Sequence, residues 1–224
     1  MSDDPTPGTL VPELLLADPE AGRAALERLF GFRREGEALR LGDQRLLLGA
    51  GTPDGRHGRI DHLALAVPDL AAALAEAEAQ GARLAAATPG GPVTIPEFGL
   101  QGATYAFLEG PEGANVELMA QVDPATRHGP GHEHVGLSCA HLAPMRAFLL
   151  DLGGAEVASH VLRRPGGDVE VCFVRLGGSV VEVYSLPETR ADPGRVAGEG
   201  FWRLRMAGLD APRQGPEGVE VRPL

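Results

Sequence analysis

Two stretches of the chain repeat one another. Asp61-His-Leu-Ala-Leu-Ala-Val-Pro-Asp-Leu70 and Glu133-His-Val-Gly-Leu-Ser-Cys-Ala-His-Leu142 share one pattern, a strand running into a helix. Self-similarity of this kind makes the fold an array of alike units before any single residue is weighed. The first helix is expected over 69–80, with Leu70, Leu74 and Ala77 on one face. The second is expected over 142–152, with Met145, Phe148, Leu149 and Leu152 on one face. Those are helical spacings, and each run stops at glycine, Gly81 in one and Gly153-Gly154 in the other. Strand patterns follow at 83–87, 103–109 and 115–121, and again at 156–163, 169–176 and 179–186. The connections Gly110-Pro-Glu-Gly113 and Gly177-Gly178 read as tight turns.

Each copy is therefore a β-α-β-β-β module, and the chain is of α+β class. A third copy opens the chain, with a strand at 10–17, a helix at 19–30 stopped by Gly31, and short strands at 33–35, 38–41 and 45–48. A truncated fourth holds strands at 201–207 and 219–223 with no room for a full helix. The expected modules span 9–50, 58–122, 131–188 and 199–224, joined by Gly/Pro-rich or charged linkers at 51–57, 123–131 and 187–200.

Net charge is −11 over 224 residues, which repels duplex nucleic acid and anionic membrane surfaces. Every basic residue is arginine, which excludes Schiff-base and P-loop lysine chemistry. No apolar run reaches bilayer length. The acidic, Pro-rich stretch 1–8 is unlike a signal peptide, so a cytoplasmic location is expected. Cys139 and Cys172 lie in apolar strand patterns and read as small buried hydrophobes.

Side chains alternate along a strand. His62 shares a face with Ala64 and Ala66, opposite Leu63, Leu65 and Val67; His134 shares a face with Gly136 and Ser138, opposite Val135, Leu137 and Cys139. Both strands thus set a histidine among small neighbours, as a cavity wall would. In the closing strands Glu117 lies opposite Val116 and Leu118, and Glu182 opposite Val181 and Val183. A carboxylate in mid-strand needs a partner, because burying it alone is costly. Two imidazoles and two carboxylates make His62, Glu117, His134 and Glu182 candidate ligands for one divalent metal, Zn, Ni, Fe, Co or Mn. Met119 and Tyr184, two places after the glutamates, are expected to line the same cavity and contact a small-molecule substrate. Phe98, in the Gly/Pro-rich run 88–102, either closes the pocket or anchors its loop.

The module order, with His in the opening strand and Glu in the closing one, resembles the vicinal-oxygen-chelate superfamily. Its members include glyoxalase I, methylmalonyl-CoA epimerase, extradiol dioxygenases and antibiotic-resistance proteins. The stretch Ala106-Phe-Leu-Glu-Gly-Pro-Glu-Gly-Ala-Asn-Val-Glu-Leu118 is similar to the closing hairpin of glyoxalase I, where the Glu binds metal. The resemblance implies curved mixed sheets and a metal-dependent lyase or isomerase acting on vicinal oxygens through an enediolate or enolate. It implies that Glu117 or Glu182 moves the proton, without choosing between them. It also keeps two alternatives open: an Fe(II) dioxygenase using two His and one Glu, and a metal-free binder of small molecules. The outer copies lack ligands, so one site is expected, formed by the second and third copies, in a monomer or homodimer.

Overall fold

The structure, a computed structural model, describes residues 5–53, 57–198 and 200–224. Parts of three expected segments, residues 1–4 of the N-terminal stretch, 54–56 and 199 of the linkers, lie outside the described residues. The first module comprises β1 (Leu10–Leu16), α1 (Pro19–Phe30), β2 (Arg33–Glu35), β3 (Ala38–Leu41) and β4 (Gln44–Ala50). The second comprises β5 (Ile60–Ala66), α2 (Leu70–Ala79), β6 (Val93–Ile95), β7 (Ala103–Glu109) and β8 (Asn115–Gln121). The third comprises β9 (Gly131–Ser138), α3 (Leu142–Asp151), β10 (Ala155–Leu162), β11 (Val169–Leu176) and β12 (Ser179–Ser185). A short helix α4 (Pro187–Ala191) leads to β13 (Trp202–Met206), β14 (Arg213–Gln214) and β15 (Glu220–Pro223). The α+β architecture of β-α-β-β-β modules stands as the sequence indicates.

One expected strand is displaced. At 83–87 the chain makes backbone bonds to β7, Glu109 N–H to Arg83 O and Ala85 N–H to Phe107 O. Then the Thr88 hydroxyl accepts from Phe107 N–H at 2.8 Å, ending the ladder. The chain leaves and returns as β6, which pairs with β7.

The chain divides into two compact units. One holds Met1–Glu13, Arg56–Asp61 and His134–Leu224; the other holds Leu14–Gly55 and His62–Glu133. In the second of these, strands β5, β8, β7 and β6 lie side by side, β5 and β8 parallel and the rest antiparallel. In the first, β9, β12, β11 and β10 repeat that order, with β9 and β12 parallel. Its short strands β13 and β15 are also parallel, with β14 antiparallel on β15. Among the described residues, no helix is long and apolar enough to cross a membrane.

Helix α1 shows how local sequence sets these elements. Asp18 caps it by accepting from Ala21 N–H at 3.0 Å, Pro19 fills the first turn, and Gly31 ends it at φ 73°. Gly22 packs so closely on β1 that a Cβ would fall 2.1 Å from Leu16 Cδ1.

The corner before α1 is held by a residue far along the chain. Glu112, in the turn after β7, accepts from Ala17 N–H and Asp18 N–H at 3.0 Å each. The same arrangement recurs before α3. Glu217 accepts from Ala140 N–H at 3.1 Å and His141 N–H at 2.9 Å. Both glutamates sit in a Gly-Pro-Glu-Gly turn, at 110–113 and 215–218, with left-handed φ of 54° and 53°. That backbone conformation costs a β-carbon residue about 1 kcal/mol or more. Two charge-assisted bonds to a strand-to-helix corner offset it. Arg59 adds to the second clamp, donating from Nη1 to Glu217 Oε2 at 2.5 Å and from Nε to the Glu217 carbonyl.

Glu217→Gln is expected to lower unfolding free energy by about 2 kcal/mol, the loss of hydrogen bonds to a charged group. Glu112→Gln should cost about half as much, having no arginine partner among the described residues. Urea unfolding of the two variants checks both the values and their order.

Cys139 and Cys172 are free and buried. Desolvation pushes the Cys139 thiol up to about 12, aided by Glu217, and the Cys172 thiol up to about 11, aided by Glu156. Both folded values lie above the ordinary thiol value of 9.0, so the folded chain holds protons that the unfolded chain releases. This stabilisation is complete below pH 9 and is lost as pH rises from about 9 towards 11–12. Neither thiol should react with an aromatic disulfide at pH 8 until denaturant is added, whereupon two equivalents react.

Candidate metal centre

Each unit brings one histidine and one glutamate together by strand register. In the unit of modules one and two, β5 runs parallel to β8 with Ala64 beside Glu117 and His62 two places earlier. His62 Nε2 lies 3.1 Å from Glu117 Oε2. In the other unit, β9 runs parallel to β12 with Gly136 beside Glu182 and His134 two places earlier. His134 Nε2 lies 3.3 Å from Glu182 Oε2. The residue beside each glutamate is small, as the alternation pattern requires. All four ligand candidates are buried, His134 completely and Glu182 at 8% exposure.

Each pair is also walled by a phenylalanine. Phe107 stands opposite Glu117 on β7, and its ring meets His62 edge-on with centroids 4.9 Å apart. Phe173 stands opposite Glu182 on β11, and its ring meets His134 edge-on at 5.8 Å. These two residues were not singled out in the sequence. The signal was there, since each lies mid-way along the strand preceding the glutamate strand, on the face that pairing assigns to it.

The donor set fits a divalent metal. Metal bonds to imidazole nitrogen and carboxylate oxygen run about 2.0–2.2 Å, so two such donors on one ion lie about 2.9–3.4 Å apart between octahedral and tetrahedral angles. Both nitrogen-to-oxygen separations fall in that range. A buried carboxylate requires positive charge close by, and a cation or an imidazolium meets that need.

Of the expected substrate contacts, Met119 is buried on β8, two places beyond Glu117. Tyr184 follows Glu182 on β12. Its hydroxyl is pushed well above the usual phenol range by burial, then by the Asp61 and Glu182 carboxylates, with a hydrogen bond to Asp61 contributing. Phe98 is buried, and its backbone N–H donates to Ile95 O at 3.3 Å.

The outer modules replace ligands with other groups. Counted back from the capping residues Asp18 and Asp69, Val11 stands where His62 does, and Glu13 where Ala64 does. Glu13 is buried and held by Arg205 through two bonds of 2.9 Å.

His62→Ala is expected to destabilise the metal-depleted protein by about 3 kcal/mol, because it removes the imidazole paired with the buried Glu117 carboxylate. Adding Glu117→Leu to that variant should restore most of the loss. Denaturation in the presence of chelator, as a double-mutant cycle, measures both.

No protein-family model and no curated protein sequence matches the chain. Solved structures do. Glyoxalase I from Zea mays superposes with a TM-score of 0.64 at 14% identity, covering 95% of this chain and 91% of that one. A putative dioxygenase from Bacillus subtilis superposes with a TM-score of 0.58 at 11% identity, covering 97% and 85%. Likeness over nearly the whole of each chain, together with the repeated β-α-β-β-β order, identifies this chain as one with the vicinal-oxygen-chelate fold shared by glyoxalase and dioxygenase proteins.

Proposed function

We propose that the chain is a glyoxalase-like, metal-dependent lyase or isomerase, with His62, Glu117, His134 and Glu182 contributing to one divalent-metal site. The observation that carries this reading is the repeated pair: a buried imidazole nitrogen 3.1 or 3.3 Å from a buried carboxylate oxygen, at matching register positions in both units. A single such pair is an ordinary buried hydrogen bond. Two, each walled by an edge-on phenylalanine and each beside a small residue, indicate selection for a shared chemistry.

When bound, the metal supplies Lewis-acid polarisation of two neighbouring substrate oxygens. The protein supplies the rest. A glutamate at the site takes the proton next to a substrate carbonyl and returns it one atom along. Glu182, the more exposed of the two at 8% against 3%, is the better placed to reach substrate. Tyr184, two places beyond Glu182, lines the substrate cavity, and Phe107 and Phe173 keep water from the imidazoles. A Zn, Ni, Fe, Co or Mn ion is compatible with these donors. A second carboxylate favours this reading over oxygen chemistry, since a two-His, one-carboxylate site is the usual dioxygenase set.

The purified protein is expected to carry one equivalent of divalent metal per chain. Glu117→Gln and Glu182→Gln should each remove at least nine-tenths of it. The wild type should isomerise a hemithioacetal, and Glu182→Gln reloaded with excess metal should lose at least a hundredfold in kcat. Two half-occupied, independently lost metals would overturn the shared site. Oxygen uptake with catechols, or no metal above trace in folded protein, would overturn the lyase assignment.

A further inference from the structure

Helices α2 and α3 hold the same place in their modules and fill it differently. Each has ten residues, and the repeat aligns Leu70 with Leu142. On α3, which packs on β11 and β12, the buried side chains are Met145, Phe148 and Leu149. The matching positions of α2 hold Ala73, Glu76 and Ala77. Where α3 has methionine and leucine, α2 has alanine; where α3 has phenylalanine, α2 has a carboxylate that stays exposed. Protein interiors are close-packed, so side chains cut back this far leave space beside the helix unless a neighbour moves in.

The space is there. All three α2 residues line a cavity of about 910 Å³ in the unit of modules one and two. The end of α1 and the β2–β3 hairpin supply its other walls. Its apolar lining includes Leu29, Phe30, Leu41, Leu65, Val67 and Leu118. Leu65 lies between Ala64 and Ala66 on β5, and Leu118 follows Glu117 on β8. Alternation therefore puts the cavity on the face of these strands opposite the His62–Glu117 pair. Leu29, Leu41 and Ala73 are half-buried, leaving apolar surface in water that a bound apolar body would cover. Small-molecule pockets run to about 300–1,000 Å³ and are mostly apolar with a few polar groups.

The charged lining indicates the head group. Arg28 ends α1, Arg33 and Arg34 lie on β2, and Arg40 lies on β3. Arg40 is held by Glu35 at 3.2 Å and by the Gly42 carbonyl at 2.9 Å. Arg34 donates only from Nε, to the Gly36 carbonyl. Arg28 and Arg33 have no side-chain hydrogen bond or ion pair among the described residues. Of the lining carboxylates, Glu35 is matched by Arg40, and Asp69 caps α2 by accepting from Ala72 N–H at 3.0 Å. Glu27 and Glu76, on the two helices, are the others. Three guanidinium groups from the short stretch 28–34 thus keep donors to offer. Guanidinium donates without accepting, in a fork that matches two oxygens of one carboxylate.

We propose that this cavity binds an anionic amphiphile, a carboxylate on an apolar chain or ring, with its body against the α2 alanines and its head at Arg28 and Arg33. The site is separate from the His–Glu pairs and does not depend on whether they bind metal.

Anilinonaphthalene sulfonate, itself an aryl anion, is titrated into the full chain and displaced with octanoate, naphthoate or octanol. Its fluorescence should rise saturably, and at least one carboxylate should displace it at least tenfold more tightly than octanol. Displacement by octanoate alone assigns an alkyl chain, by naphthoate alone a ring, and by both the shared amphiphile chemistry. Ala73→Met, which installs the third-module side chain, should weaken binding at least tenfold while the urea midpoint stays at or above that of the wild type. Arg28→Gln and Arg33→Gln should each weaken carboxylate binding at least fivefold, and these exposed positions decide the case if Ala73→Met does not fold. Chelator should change none of these affinities. No saturable fluorescence, equal displacement by octanol, wild-type affinity in the variants, or binding abolished by chelator would overturn the proposal.

Discussion

A carboxylate set in the middle of a buried strand is the constraint from which the rest of each unit follows. Glu117 and Glu182 need a compensating group within hydrogen-bond reach and space in which to meet it. The neighbouring strand supplies both, a histidine two places from an alanine or glycine. That strand must be parallel to the glutamate strand for the register to hold. Parallel neighbours cannot be joined by a tight turn and need a longer crossover. A helix followed by a hairpin is such a crossover, and it delivers the first and last strands of a module side by side. The β-α-β-β-β order is the path that lets one module own both halves of a buried His–Glu pair.

Much of this was legible because the signals are local. The bounds of β7, β8 and β11 follow from turn residues on either side. The candidate ligands were legible because strand phase and repeat position agree for each of them. What the sequence concealed is governed by tertiary partners. Residues 83–87 have strand composition, yet the Thr88 hydroxyl ends their pairing. The strand β14 has only two residues, too short for any periodicity. The corner-clamping glutamates were hidden for another reason. The Gly-Pro-Glu-Gly turn reads as a hairpin connection, and only the contact reveals that its side chain serves a helix elsewhere. Its second occurrence, at 215–218, was the available clue.

The modules differ in what they do with one inherited scaffold. The inner two keep nitrogen and oxygen donors at the register positions flanking a Leu/Val or Val/Val pair. The fourth keeps the Leu/Val pair and exchanges the flanking donors for arginines. The first has Val11 and Glu13, the latter neutralised by Arg205. Charge at these positions is never left unanswered, but the sign and the partner vary. The apolar half of each strand is conserved in kind because it packs the core, while the opposite face is open to change.

The clamp also gives the last three strands a role beyond their own small sheet. With no α-helix between β13 and β14, this segment looks like one that deletion could remove without loss. Yet its turn carries Glu217, which holds the corner before α3 in the module ahead of it, as Glu112 of the second module holds the corner before α1 in the first. Each leading module therefore depends on the turn of its successor. Removing the turn at 215–218 would release the corner before a helix that belongs to the preceding module while leaving every residue of that module in place.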